Sequence, residues 1–226
     1  TLGLLPKALS GWRCLELGAG AGQNSIYLAS QGAICTATDG SQAQVDHGRE
    51  LAAQHQQSVT WQCAPMEDLP ALVAVSGWDL IHSAYALPFV ADPLALIQLA
   101  AQQLRPGGLL LVSLRHPVAT GEWLEVDDDQ GAFLKSYLHP PDDVRQGAAG
   151  AESRARAWPI STVLGWLRRA GLMLEDLAEP AALDLRQMPV KTARQQVPYL
   201  SHTWLSRTSE FLEFPPVLIV KASKPA

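Results

Sequence analysis

Apolar positions along this chain follow two periods in turn. Short apolar runs bounded by glycine, aspartate and proline alternate with stretches in which apolar residues return every three or four positions. The run ending at Leu17 breaks into glycines on alternate positions, Gly18, Gly20 and Gly22, which predicts a buried parallel strand turning sharply into a helix. Ile26, Leu28 and Ala29 supply the inner face of that helix, and Gly32 ends it. Ala33 to Thr38 predicts a second strand closing on Asp39-Gly40-Ser41, followed by a helix over Ser41 to Gln57 with Ala43, Val45, Leu51 and Ala52 inward. Val59, Trp61 and Cys63 alternate with Thr60 and Gln62, so a third, half-buried strand follows. Gly77 to Leu87 begins as a fourth buried strand. Asp92 and Pro93 then open a helix striped by Leu94, Ile97, Ala101 and Leu104, and a fifth strand follows Pro106-Gly107-Gly108.

Beyond that strand the periodicity lapses. Val118 to Pro159 reads as a long irregular segment carrying Trp123, the acidic run Asp127-Asp128-Asp129, Tyr137, His139 and a Gly/Ala-rich stretch through Gly150. A structureless stretch of that length is more often a functional lid than filler. Ser161 is placed to cap a last helix whose apolar face is Val163, Leu164, Leu167 and Ala170, with Arg168 and Arg169 in its final turn and Gly171 ending it. Leu172 to Leu177 and Pro216 to Lys221 predict the sixth and seventh strands, separated by a second variable insertion from Glu179 to Pro215. Tyr199, His202 and Trp204 lie in that insertion and, with Trp158, are candidates to line an aromatic pocket.

A chain of 226 residues suits one α/β domain with a substantial core. The net charge of −5 argues against broad contact with a phosphate backbone and weakens an RNA substrate without removing it. No apolar run approaches the ~20 residues needed to cross a bilayer, and no charged-then-apolar leader opens the chain, so a cytoplasmic protein with no membrane partner is expected. Cys14, Cys35 and Cys63 fall in separate predicted strands without C-x-x-C spacing and read as small core residues of a reducing compartment. The six histidines show no metal-ligand spacing, and no metal is predicted.

The glycine loop carries the chemistry. Glycine lets the backbone turn tightly and lets a ligand press against it, and the following helix offers unpaired N–H groups. A dinucleotide fingerprint would need a small residue at position 23, where Gln23 stands, and a P-loop would need a closing Lys-Ser/Thr pair that is missing here. What remains is Glu16 followed by Gly18, Gly20 and Gly22. This E-x-G-x-G-x-G pattern resembles motif I of the class I S-adenosylmethionine-dependent methyltransferases. An acidic residue beside the loop also suits a cofactor bearing an ammonium and a sulfonium. Leu104-Arg105-Pro106-Gly107-Gly108 resembles the L-R/K-P-G-G turn known across the same family, and Trp78-Asp79-Leu80-Ile81 resembles its motif IV.

The resemblance implies a three-layer, Rossmann-like, seven-stranded sheet, mostly parallel with an antiparallel last strand. It implies one domain with a core over 10–115 and 160–226 and substrate or lid insertions over about 117–158 and 179–215. Relatives usually carry one or two helices ahead of the first strand, where this chain has about a dozen residues. The cofactor S-adenosylmethionine, and its product S-adenosylhomocysteine, would then meet Glu16, Gly18, Ala19 and Gly20. Asp39, with Gly40 and Ser41, would receive the ribose hydroxyls; alternatively Asp39 and Ser41 are simply helix starters. Pro65, Met66 and Glu67 would surround the adenine, although Pro65 and Met66 stand where many relatives have Asp-Ala; Met66 reads equally as a core residue. Ser83 and Ala84 would flank the methionine end, Tyr85 would face the methyl group, and Asp79 would be structural.

Methyl transfer from a sulfonium is an in-line displacement, so the protein's share is alignment and exclusion of water. A base is needed only for a protonated acceptor. His116, in Arg115-His116-Pro117 after strand five, is the first candidate; it serves equally as a loop-orienting histidine. His82 reads as a buried strand or site-floor residue. Arg154, with Arg156, is a candidate to hold a substrate anion, or a solvated loop arginine, and Trp158 a candidate pocket wall. The expected function is methylation of a small-molecule oxygen or nitrogen acceptor by a monomer or homodimer. The alternatives are a modified tRNA nucleoside as acceptor, or a cofactor-binding module without catalysis.

Overall fold

Arg13–Leu17 forms the first strand, β1, and from Cys14 onward every one of its residues is buried. A strand with no solvent face has to be covered on both sides, which a parallel sheet with helices on each face provides. β1 lies between two parallel neighbours, β2 (Ile34–Asp39) and β4 (Trp78–Ala84); β3 (Val59–Cys63) extends the sheet beyond β2 and β5 (Leu104–Arg115) beyond β4. In this computed structural model the described residues are 2–68, 77–126, 129–146, 152–182 and 214–226.

The sheet has the order β10-β11-β5-β4-β1-β2-β3, with β10 (Met173–Ala178) and β11 (Val217–Ser223) antiparallel to each other. The Gly107 amide donates to the Lys224 carbonyl at 2.8 Å and the Lys224 amide to the Gly108 carbonyl at 2.9 Å. The end of β11 therefore meets the beginning of β5, and the last strand runs against the parallel set, as the family resemblance implies. Strand order reverses between β1 and β4. In open α/β sheets that reversal opens a crevice at the carboxyl ends of the strands.

Among the described residues four helices connect the strands: α1 (Gln23–Ser30), α2 (Gln42–Gln54), α3 (Pro93–Gln103) and α4 (Ile160–Arg169). Ser41 caps α2, its hydroxyl accepting from the Gln44 amide at 3.4 Å, and Asp92 caps α3 by accepting from Ala95 at 3.0 Å. Ser161 does not cap the last helix as expected. α4 opens one residue earlier, directly after Pro159, so the serine falls inside its first turn. On the α1 side of the sheet, Cys14, Cys35, Leu80 and Leu109 pack with Leu9, Leu28 and Ala33.

Asp79 ties the opposite end of the sheet together. One carboxylate oxygen accepts from the Arg13 amide at 2.8 Å and the other from Arg105 Nε at 2.5 Å. Burial works to raise its pKa, but the Arg13 amide and the Arg105 guanidinium outweigh it and hold the carboxyl below its usual range.

Two expectations need correction here. Cys63 is exposed, because β3 is the outer strand of the sheet, whereas Cys14 and Cys35 are buried opposite each other in register. The segment after β5 is not structureless: β6 (Glu122–Val126) pairs with β7 (Asp129–Phe133), and β8 (Asp143–Gln146) with β9 (Glu152–Ala155), as antiparallel hairpins. Their backbones pair, yet in the second hairpin the described side chains bury little: Val144 is exposed, as are three of the four residues of β9, so no apolar alternation announces it. The acidic pair 127–128, most of the Gly/Ala-rich stretch, and Tyr199, His202 and Trp204 lie outside the described residues.

By internal packing the chain divides into two units. One comprises Thr1–Leu114, Ile160–Ala178 and Ile219–Ala226; the other comprises Arg115–Pro159 and Glu179–Leu218.

Trp61 of β3 explains a glycine that periodicity left unexplained. A Cβ on Gly48, inside α2, would lie 2.2 Å from the Trp61 indole, and a Cβ on Gly22 would meet the same atom at 2.2 Å. Both glycines make room for one ring. Gly48→Ala in a helix interior would ordinarily stabilise by about 1 kcal/mol; here it should destabilise by about 1–3 kcal/mol through overpacking. Urea denaturation of Gly48→Ala, and of Gly48→Ala with Trp61→Val, should show the loss in the first and its recovery in the second. A stabilised Gly48→Ala would contradict the packing role.

Candidate active site

The crevice is built at the carboxyl ends of β1, β2 and β4, all within the first unit. After Leu17 the backbone bends through Gly18-Ala19-Gly20-Ala21-Gly22, and Gly22, in the left-handed region at φ 68°, opens α1. The bend is pinned to β2, since the Ala19 amide donates to the Thr38 carbonyl at 2.8 Å and the Thr38 hydroxyl to the Glu16 carbonyl at 3.1 Å.

The three glycines do different work. A Cβ on Gly18 would sit 2.3 Å from Ala86 Cβ and 3.0 Å from Met66 Sδ, so this glycine admits the chain after β4 and the methionine after β3. Gly22 admits Trp61. Only at Gly20 is the space open: the nearest atom to an added Cβ is Gln44 Oε1 at 3.9 Å. Gly20 is therefore the loop position against which a ligand can lie.

Asp39, at the tip of β2, faces that opening. Its Oδ2 accepts from the Gly20 amide at 2.8 Å and its Oδ1 from the Ser41 amide at 2.9 Å. Each carboxylate oxygen keeps a second lone pair, and the side chain remains partly exposed. A carboxylate held rigidly by two backbone amides, beside a gap with no side chain, is suited to accept from a pair of vicinal hydroxyls. A ribose fits that donor and acceptor set.

Glu16 is used otherwise than its charge suggested. It is 1% exposed, and both of its oxygens are taken by the first turn of α1: Oε2 by the Ser25 amide (3.0 Å) and hydroxyl (2.6 Å), Oε1 by Asn24 Nδ2 (2.9 Å). The carboxylate anchors the helix, and through it the loop. The polar run Gln23-Asn24-Ser25 at the start of α1 is the sequence signal for this clamp.

Opposite Glu16 in register stands His82 of β4. Its Nδ1 is 3.8 Å from Glu16 Oε1, and its Nε2 is buried with no hydrogen-bond partner among the described residues. Burial lowers the imidazole pKa, and the nearby Glu16 charge offsets this only in part, so the ring is held neutral.

Ser83 and Ala84 end β4, and Tyr85 follows with φ 61°. The left-handed region is costly for an aromatic residue and marks a position fixed by its surroundings. The Tyr85 amide is held by Ser113, donating to its carbonyl and hydroxyl at 3.1 Å each. Gly40, Pro65 and Glu67 are exposed and Met66 is half-buried over Gly18.

The remaining candidates belong to the second unit. His116 is 3% exposed with both ring nitrogens engaged, Nδ1 accepting from the Val118 amide at 3.2 Å and Nε2 paired with Glu179 at 2.7 Å. It caps the turn Pro117–Thr120, which is the loop-orienting arrangement. Arg154 is half-exposed and faces Asp142 at 3.4 Å and Glu152 at 3.3 Å, so its charge is already partly answered by carboxylates. Trp158 is half-buried.

The neutral His82 makes stability depend on pH with a definite sign. The unfolded imidazole titrates near 6.5 and the folded one lower, so the contribution is full above about pH 6.5 and is lost as pH falls toward the folded value. One proton gives a slope of at most about 1.4 kcal/mol per pH unit. Urea denaturation between pH 8 and 5 should show a steeper loss for the wild type than for His82→Gln; identical pH profiles would contradict a neutral buried ring.

Residues 15–112 match the family model described as a methyltransferase domain. The ubiquinone biosynthesis O-methyltransferase of Xylella fastidiosa is 31% identical over 198 residues, covering 86% of this chain and 74% of that protein. The biotin biosynthesis bifunctional protein of Cellvibrio japonicus is 34% identical over 131 residues, 56% of this chain, and this chain spans 25% of that protein's length. Among solved structures, an S-adenosylmethionine dependent methyltransferase from Mesorhizobium loti matches with a TM-score of 0.70 at 25% identity, covering 98% of this chain and 94% of that one. Together with the loop whose only open glycine is bonded to the carboxylate at the tip of β2, these likenesses make the chain a member of the class I S-adenosylmethionine-dependent methyltransferase family, an enzyme that uses S-adenosylmethionine as its methyl donor.

Proposed function

We propose that this enzyme methylates an oxygen of a small organic molecule, with a nitrogen acceptor as the second reading. The observation that carries the cofactor half of the proposal is the bond from the Gly20 amide to Asp39 beside open space. Oxygen is favoured because the Xylella fastidiosa relative, similar over most of both chains, is named as an O-methyltransferase. The net charge of −5 counts against a tRNA acceptor.

When bound, S-adenosylmethionine supplies a methyl carbon activated by a sulfonium leaving group. In this proposal Gly18, Ala19 and Gly20 line the cofactor, and Asp39 accepts from both ribose hydroxyls while Gly40 and Ser41 shape the turn beside it. Pro65, Met66 and Glu67 would border the adenine. Ser83 and Ala84 flank the methionine end, and Tyr85, its backbone fixed by Ser113, borders the reacting centre. Glu16 positions the loop from behind. The protein's contribution to rate is then alignment and water exclusion. His116 is assigned to holding its turn rather than to proton transfer, because neither ring nitrogen is available as it stands. A cytoplasmic location belongs to the same proposal, supported by Cys14 and Cys35, which face each other in register as free thiols.

Asp39→Ala should weaken S-adenosylhomocysteine binding by about 1–3 kcal/mol through loss of charge-assisted hydrogen bonds, read by calorimetry on a variant whose circular dichroism is unchanged. Unaltered affinity would remove Asp39 from the site. Gly20→Val should abolish binding by filling the open position, and retained binding would mean that the loop faces some other ligand.

A further inference from the structure

Within the first unit, a cavity of about 280 Å³ opens between Leu4 and Leu5, the α1 residues Tyr27 and Leu28, and the carboxyl ends of β4 and β5. Its described lining is largely aliphatic and includes no Asp, Glu, Lys or Arg. Charged molecules would shed water there with nothing in return. Against this apolar wall stand two buried polar atoms with no partner among the described residues, His82 Nε2 and Ser83 Oγ, both on residues that line the cavity. The His82 side chain is only 7% exposed. Buried polar groups are nearly always paired, and one left unpaired in a cavity wall calls for a partner.

The tautomer follows from the surroundings. Glu16 lies on the Nδ1 side of the ring at 3.8 Å, which favours the proton of the neutral imidazole on Nδ1 and leaves Nε2 as an acceptor. What Nε2 lacks is therefore a donor such as a hydroxyl. Size is compatible with a ring: a dry cavity of roughly 150 Å³ holds benzene, so about 280 Å³ has room for one substituted ring.

We propose that this cavity is the acceptor subsite of the methyltransferase, taking an uncharged, single-ring hydroxyl compound whose O–H donates to His82 Nε2, the nitrogen that takes up the proton as the oxygen gains the methyl group. The inference rests on the reading above, since Ser83 and Ala84, assigned there to the methionine end of the cofactor, also line the cavity. An acceptor lodged here lies beside the methyl donor, and Tyr85 stands next in the chain.

The probes are phenol and methoxybenzene, which share the ring and differ in the donor. They are titrated into the full chain carrying ¹³C-labelled histidine, and the His82 ring signal is assigned by its loss in His82→Gln. Phenol should shift that signal, and methoxybenzene should bind about 10-fold or more weakly, the cost of leaving a buried acceptor unpaired. His82→Phe should erase the preference, while His82→Gln, which keeps an acceptor, should retain part of it. Equal binding of the two probes, or phenol binding that leaves His82 unshifted, overturns the proposal whatever the variants do. S-adenosylhomocysteine titrated into the same sample reads the cofactor site separately. Failure of that titration overturns the methyltransferase reading; its success with no response to phenol overturns only the acceptor subsite.

Discussion

A single carboxylate at the end of β2 holds the site together. Asp39 bonds backward to Gly20 in the loop after β1 and forward to Ser41 at the start of α2, so two turns from different βα units are fixed relative to each other by one side chain. The carboxylate is the strongest acceptor available for such a task, and its two oxygens leave lone pairs directed at whatever lies over Gly20. Under the proposed function, structure and recognition share one group. A substitution here would loosen the loop and remove the proposed ligand's partner together.

The glycine loop illustrates how one motif divides its work. Gly18 makes way for Ala86 and Met66, Gly22 for Trp61, and only Gly20 faces open space. Glu16, the acidic member of the motif, accepts from the first turn of α1 through both carboxylate oxygens. Loop rigidity therefore comes from behind, through a buried carboxylate. The ligand-facing surface is left almost bare of side chains, which suits close approach of a nucleoside.

Much of this fold was legible before any coordinates. The parallel core follows from apolar runs that end in glycine or aspartate, and Asp92-Pro93 and Asp39-Gly40-Ser41 marked helix starts through local chemistry alone. What stayed hidden depends on contacts between distant residues. Gly48 sits in a helix for the sake of Trp61, a residue on another element, and no periodicity reports that. The second hairpin of the insertion exposes most of its described side chains, so its strands carry no alternating pattern. The sequence leaves His82 a floor residue and His116 either a candidate base or a loop-orienting histidine; hydrogen bonding tells them apart, because His116 is paired at both nitrogens while His82 Nε2 has no partner among the described residues. Such distinctions belong to three-dimensional neighbours, which a single sequence does not list.

A crystal structure of the chain grown with S-adenosylhomocysteine decides where the cofactor lies. The proposed function requires the ribose between Gly20 and Asp39, both of its hydroxyls within hydrogen-bond distance of that carboxylate, and the sulfur toward Ser83 and Ala84. A nucleoside bound anywhere else, with Asp39 still bonded only to Gly20 and Ser41, would contradict it.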